Sequence, residues 1–197
     1  MALPKKTVAP LFRFNPQPDS AAAWRTLKIE LARALADLNE DDFVIVSSKR
    51  GNQFVQFIGQ GAHGMRAEAV SNDYLDELHQ LSREALATLE ALGWHAPTHD
   101  RSADGRRPAD GSPNFFLDVR TPVAYARIAA LAVHTLWAAF GIRHPGELEY
   151  LAFSDGQGRI RIPRLKLKAA QPNVARTSRG NRQKPAPLEL PVPKRIM

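Results

Sequence analysis

His95 and His99 stand four residues apart with Asp100 beside the second, the spacing at which two imidazoles on one helix face can hold a metal ion. Pro97 falls between them and the following stretch is rich in Gly, Pro, Asp and Arg, so the pair belongs to a loop that does not aim both rings at one point. His134 lies within a helix-periodic apolar run and has no identifiable acid partner, which suits a packed histidine better than a general base. Asp41-Asp42 and Asp76-Glu77 are adjacent carboxylates. Sequence neighbours point in different directions on a helix or strand, so neither pair reads as an acid/base dyad. Ser47, Ser48 and Ser154 stand in no nucleophile elbow, and the absence of cysteine removes thiolate nucleophiles, thiolate metal sites and disulfides. No nucleophile, base or metal set can be assembled, and the expectation is a protein without catalysis, cofactor or metal.

Two further motifs bear on binding. Gly59-Gln60-Gly61-Ala62-His63-Gly64 matches G-x-G-x-x-G letter for letter. That pattern cradles a dinucleotide only where a strand turns into a helix, and Met65 to Val70 alternates like a strand, so a hairpin loop is expected instead. The net charge of +7 divides unevenly. Residues 164–197 carry nine Lys or Arg and only Glu189 in opposition, about +8, which leaves about −1 for residues 1–163. A phosphate backbone is thus a candidate partner for the tail alone, through Arg176, Arg179, Arg182 and Lys184, and no aromatic residues are interleaved there for base stacking. Leu188, Leu190 and Val192 alternate between prolines, a pattern for an extended segment lying along a sheet edge of this domain or of a partner.

The elements that must position these residues follow from periodicity. Trp24, Leu27, Leu31, Leu35 and Leu38 predict a helix entered at Asp19 or Ser20 and ending near Asn39. Phe43 to Ser47, Gln53 to Ile58 and Met65 to Val70 predict a three-stranded antiparallel meander. In the third strand, Met65, Ala67 and Ala69 alternate with Arg66 and Glu68, which predicts one packed and one wetter face. A helix capped by Asn72 is expected to carry Leu75, Leu78, Leu81, Ala85, Leu89 and Leu92 in one stripe and to stop at Gly93. Asn114 to Arg120 reads as a strand, Pro122 to Phe140 as a helix, Glu147 to Phe153 as a strand, and Arg159 to Ile162 as a short edge strand. Together these give an α+β fold: an antiparallel sheet, a meander plus further strands, with helices packed mainly on one face. The domain is expected over residues 19–162, with an extension at 1–18, a mobile polar loop at 97–113 and a basic, disordered tail at 163–197. The most apolar stretch, Ala124 to Phe140, is interrupted by Tyr125, Arg127 and His134 and predicts a buried helix, not a membrane span. The lack of cysteine and of a signal-peptide-like run suits the cytoplasm.

Gln56-Phe57, the run Arg66-Ala67-Glu68-Ala69-Val70-Ser71-Asn72-Asp73-Tyr74-Leu75, Leu92-Gly93-Trp94-His95-Ala96-Pro97, Asn114-Phe115 and Phe140-Gly141-Ile142 form a further pattern. Over roughly residues 24–153 it resembles the actinobacterial branch of the type III secretion chaperone and YbjN-like peptide-binding chaperones, the TY-Chap domains. The resemblance implies a secretion-chaperone-like sheet with helices, no catalysis, a peptide or unfolded client segment as partner, and room for a homodimer. The face expected to meet the client is the wetter one: Phe54, Gln56, Arg66, Glu68, Phe116, Asp118 and Arg120. Two other classes remain open, a nucleic-acid-associated protein acting through its tail and a scaffold without chaperone activity.

Overall fold

The computed structural model describes residues 16–98, 111–155 and 158–170. Helix α1 spans Pro18–Ala36, with Gln17 in the cap position and Pro18 in the first turn, where a missing N–H costs nothing. Its stripe of Trp24, Leu27, Leu31 and Leu35 is buried. Strands β1 (Asp42–Ser48), β2 (Phe54–Gly59) and β3 (Met65–Ala69) form the expected meander. The glycine-rich loop joins β2 to β3 as a hairpin and opens no long helix. Gly64 is needed there, since it sits at φ +112° and a Cβ would collide with the carbonyl of Val119.

The second helix is shorter than its apolar stripe predicts. Helix α2 spans Arg83–Leu92, and its N-cap is Ser82, whose hydroxyl accepts from the Ala85 N–H. Asn72 caps no long helix. Its side chain instead donates to the Leu81 carbonyl at 3.2 Å and accepts from the Leu81 N–H at 2.7 Å, closing residues 72–81 into a loop that begins with a 3₁₀ turn. Leu75 and Leu81 are buried as the loop folds back, while Leu78 is 92% exposed. Gly93, at φ +100°, ends α2 in the left-handed conformation.

Strand β4 (Phe115–Val119) pairs with β3, and helix α3 (Tyr125–His134) continues into a π turn over Thr135–Ala139. The π turn begins at Thr135, whose hydroxyl accepts from the buried Trp94 indole at 2.8 Å. Strand β5 (Leu148–Ser154) pairs with β1, and two short strands, β6 (Gly158–Arg159) and β7 (Lys168–Ala169), line its far side. The order β4-β3-β2-β1-β5-β6 is antiparallel throughout, and β7 joins β5 in parallel. Residues 163–170, assigned above to the tail, therefore lie on the domain, with Leu165 buried and Arg164 paired to Asp37 at 2.7 Å. Among the described residues no helix is long and apolar enough to cross a membrane.

Candidate functional site

Residues directly opposite on neighbouring strands share a face, so the register sorts the sheet. Val44, Val46, Val55, Phe57, Ala67 and Ala69 point to the face that clusters with the buried residues of α1 and α3. The other face carries two rows across the strands. One runs Ile45, Gln56, Glu68, Phe116; the next runs Phe43, Ile58, Arg66, Asp118. Phe54 lies on the same face opposite Ser47, and Arg120 follows Asp118 by the two-residue period. Six of the seven residues expected to meet a client are thus on one face, and Arg120 stands just past the end of β4.

That face is not wet across its width. Arg66 is 1% exposed and Glu68 2%, and Phe54 and Gln56 are buried as well. Burial of these charges is tolerated because neighbouring strands satisfy them. Arg66 donates twice to the Asp118 carboxylate, at 2.7 and 2.8 Å, and its guanidinium lies 5.4 Å from the Phe116 ring. Glu68 accepts from Gln56 at 2.6 Å, Ser112 at 2.9 Å and Asn114 at 3.2 Å, so the chain at 112–114 is drawn against β3. Phe43 stacks on Phe153 at 4.8 Å. Phe116 and Asp118 are half-buried and Arg120 is exposed; these three stand on β4 or just past its end. The tail residues Arg176, Arg179, Arg182 and Lys184, and likewise His99, lie outside the described residues. His95 is exposed, and His134 is half-buried, its pKa lowered first by burial and then by Lys28.

The two edges of the sheet differ. The outer side of β5 is filled by β6 at Phe153 and Ser154, by the Ile160 N–H on the Ala152 carbonyl at 2.9 Å, and by β7 at Glu149 and Tyr150. On the outer side of β4, among the described residues only Phe116 is occupied, exchanging both main-chain hydrogen bonds with His95 at 3.0 and 3.1 Å. Before His95 the chain is Trp94, then Gly93, which ends α2, so no strand precedes the bridge. Asp118, two residues on, turns its N–H and C=O to the same side, and among the described residues neither meets a hydrogen-bond partner.

Beside this edge, on the helix-covered face, lies a groove of about 340 Å³. Leu117 and Val119 of β4, Leu92 of α2, and Ile128 and Leu131 of α3 make it chiefly apolar, and Arg127 stands at its lining. The groove residues carry no motif. The alternation of Leu117 and Val119 marks them as inward-facing, but their half-exposure arises only because α2 and α3 part over them.

The arrangement offers main-chain hydrogen bonding plus an apolar slot, the two elements by which an extended chain is taken up on a sheet edge. No curated protein and no solved structure matches the chain. A family model does match, over residues 17–154, from the cap of α1 to the end of β5. By that match the chain belongs to the TY-Chap3 family, described as T3SS (YopN, CesT) and YbjN peptide-binding chaperone 3.

Proposed function

We propose that this domain is a non-catalytic chaperone or adaptor that binds an extended segment of a client protein by adding it to the sheet beside β4. The observation that carries the reading is the outward-facing N–H and C=O of Asp118 next to the Leu117–Val119 groove. Backbone pairing supplies affinity for any extended chain, and the groove selects an apolar side chain at alternate positions. Filling it with one leucine-sized side chain contributes about 1.5–3 kcal/mol. Of the seven residues expected to meet a client, Phe116 and Asp118 on β4, and Arg120 just past its end, stand nearest such a strand. Phe54, Gln56, Arg66 and Glu68 act from behind, through the packing and hydrogen bonds that hold β3 and β4 in register.

The test is fluorescence anisotropy of a labelled decapeptide alternating valine and threonine, titrated with the full-length chain. Leu131→Asp puts a carboxylate into the groove and is expected to weaken binding at least tenfold, with an unchanged far-UV circular dichroism spectrum. Leu78→Asp, on an exposed site, serves as the control. Equal binding by wild type and Leu131→Asp, or no binding by any form, would sink the reading.

A further inference from the structure

The last stretch of the chain has an unusual parity. Pro185, Pro187, Pro191 and Pro193 all fall on odd positions, while Ala186, Leu188, Leu190 and Val192 fall on even ones. In a strand, successive residues turn their N–H groups to opposite sides, so every proline of this segment faces the same way. A strand that presents its even residues to a neighbour loses no hydrogen bond to proline, and its outer side has few donors with which to recruit a further strand.

We propose that residues 184–193 of this chain are the resident occupant of the β4 edge, paired to Asp118 and holding the site until a client displaces them. The assignment deepens the peptide-binding reading and rests on it, since it requires β4 to accept a strand. Three observations favour this segment as occupant. First, both of its faces suit the place. Whichever way the strand runs, leucines or prolines meet the apolar groove at Leu117 and Val119. Second, Glu189, the only acidic residue of the strongly basic stretch 164–197, stands at the segment's centre, and Arg127 and Arg120 flank the edge it would occupy.

Third, the chain reaches. It leaves the described domain at Ala170, whose N–H is bonded to Tyr150 of β5. From β7, on the outer side of β5, to a strand added beyond β4 is six strand spacings, about 29 Å at the usual spacing of about 4.8 Å. Residues 171–183 span up to about 43 Å when extended, at about 3.3 Å per residue. The preceding stretch already covers the β5 edge through β6 and β7, whereas among the described residues the β4 edge beyond Phe116 is uncovered.

The experiment is amide hydrogen exchange by NMR on the full-length chain, read at Asp118 with Phe57 of the central sheet as internal reference. Leu190→Pro places a proline on the pairing parity and is expected to speed Asp118 exchange at least tenfold. Glu189→Pro, on the other parity, is expected to leave it within twofold of wild type, and Phe57 should not change in either. The labelled valine–threonine decapeptide should bind Leu190→Pro at least fivefold more tightly than wild type, because its competitor is gone. If Leu190→Pro and Glu189→Pro exchange alike, the assignment is overturned, whatever the decapeptide does. Asp118 protection that rises with protein concentration would also overturn it, in favour of a second copy's tail. A decapeptide that binds no form counts against the client-binding reading alone, because exchange at Asp118 reports the tail independently.

Discussion

Glu68 is a carboxylate in the middle of a sheet, and its environment explains why it is tolerated. Both oxygens only accept: Oε1 from Ser112, Oε2 from Gln56 and Asn114. The Asn114 side-chain oxygen in turn accepts from the Ser71 N–H at 3.2 Å, and the Asn114 main-chain N–H donates to Ser112 Oγ at 3.0 Å. This network ties β2, β3 and the entry to β4 together through side chains separated by 44 and 46 residues from Glu68. Glu68→Gln keeps the shape but replaces one acceptor with an NH₂ that must face donors already aimed at it. An unsatisfied buried donor costs about 1–3 kcal/mol, so Glu68→Gln is expected to lower the urea midpoint by a loss of about 2 kcal/mol. A change under about 0.5 kcal/mol would mean that the donors find other acceptors. None of these partners is visible in the sequence as a motif. The alternation around Glu68 placed it on the correct face and also suggested that the face was wet, because a strand pattern shows side-chain direction but not what lies above it.

At the level of elements, sequence periodicity was most reliable where one face is forced into the core. Strands β1 to β5 reappear within a residue or two of their expected bounds, and α1 keeps its buried stripe but ends three residues before Asn39, since the pleat and the helical turn leave little freedom once burial is fixed. The stretch 72–82 misled because a folded-back loop can bury residues at helical spacing. Leu75 and Leu81 pack inward through the Asn72–Leu81 bonds, and Leu78 completes the helical pattern by coincidence. Two substitutions separate the alternatives. Leu78→Glu is expected to change stability by no more than about 0.5 kcal/mol, as on any exposed site. Leu89→Ala, in α2 proper and fully buried, is expected to cost about 2–5 kcal/mol in the same chemical unfolding measurement. A helix running from Asn72 would instead make Leu78 costly as well. The edge of β4 was harder still to read. Its one occupied position depends on a bridge between His95 and Phe116, and an isolated bridge has no period.

Among the described residues, the start of the basic stretch and the candidate site lie towards opposite edges of the sheet. About +8 of the net charge falls in residues 164–197, yet Arg164 is paired with Asp37, and Lys168 belongs to β7 on the β5 edge. The groove beside β4 is lined chiefly by apolar residues, with Arg127 its one cation, and the hydrogen bonds on offer come from neutral main chain. Salt acts very differently on these two parts. Backbone pairing and apolar burial release few counterions, so the decapeptide affinity is expected to change less than threefold between 0.05 and 0.5 M salt. Four phosphate contacts through Arg176, Arg179, Arg182 and Lys184 would instead give a log–log slope of about −3 with a single-stranded oligonucleotide, at about −0.7 per contact. That slope would fall to about −0.7 when Arg176, Arg179 and Arg182, which precede the segment 184–193, are changed to glutamine, and the decapeptide curve would not move. Anisotropy titrations of both ligands across the salt series therefore assign each to its part of the molecule. A decapeptide slope steeper than about −1 would transfer client binding from the β4 edge to the basic residues, because neutral groups at Asp118 and an apolar slot cannot generate it.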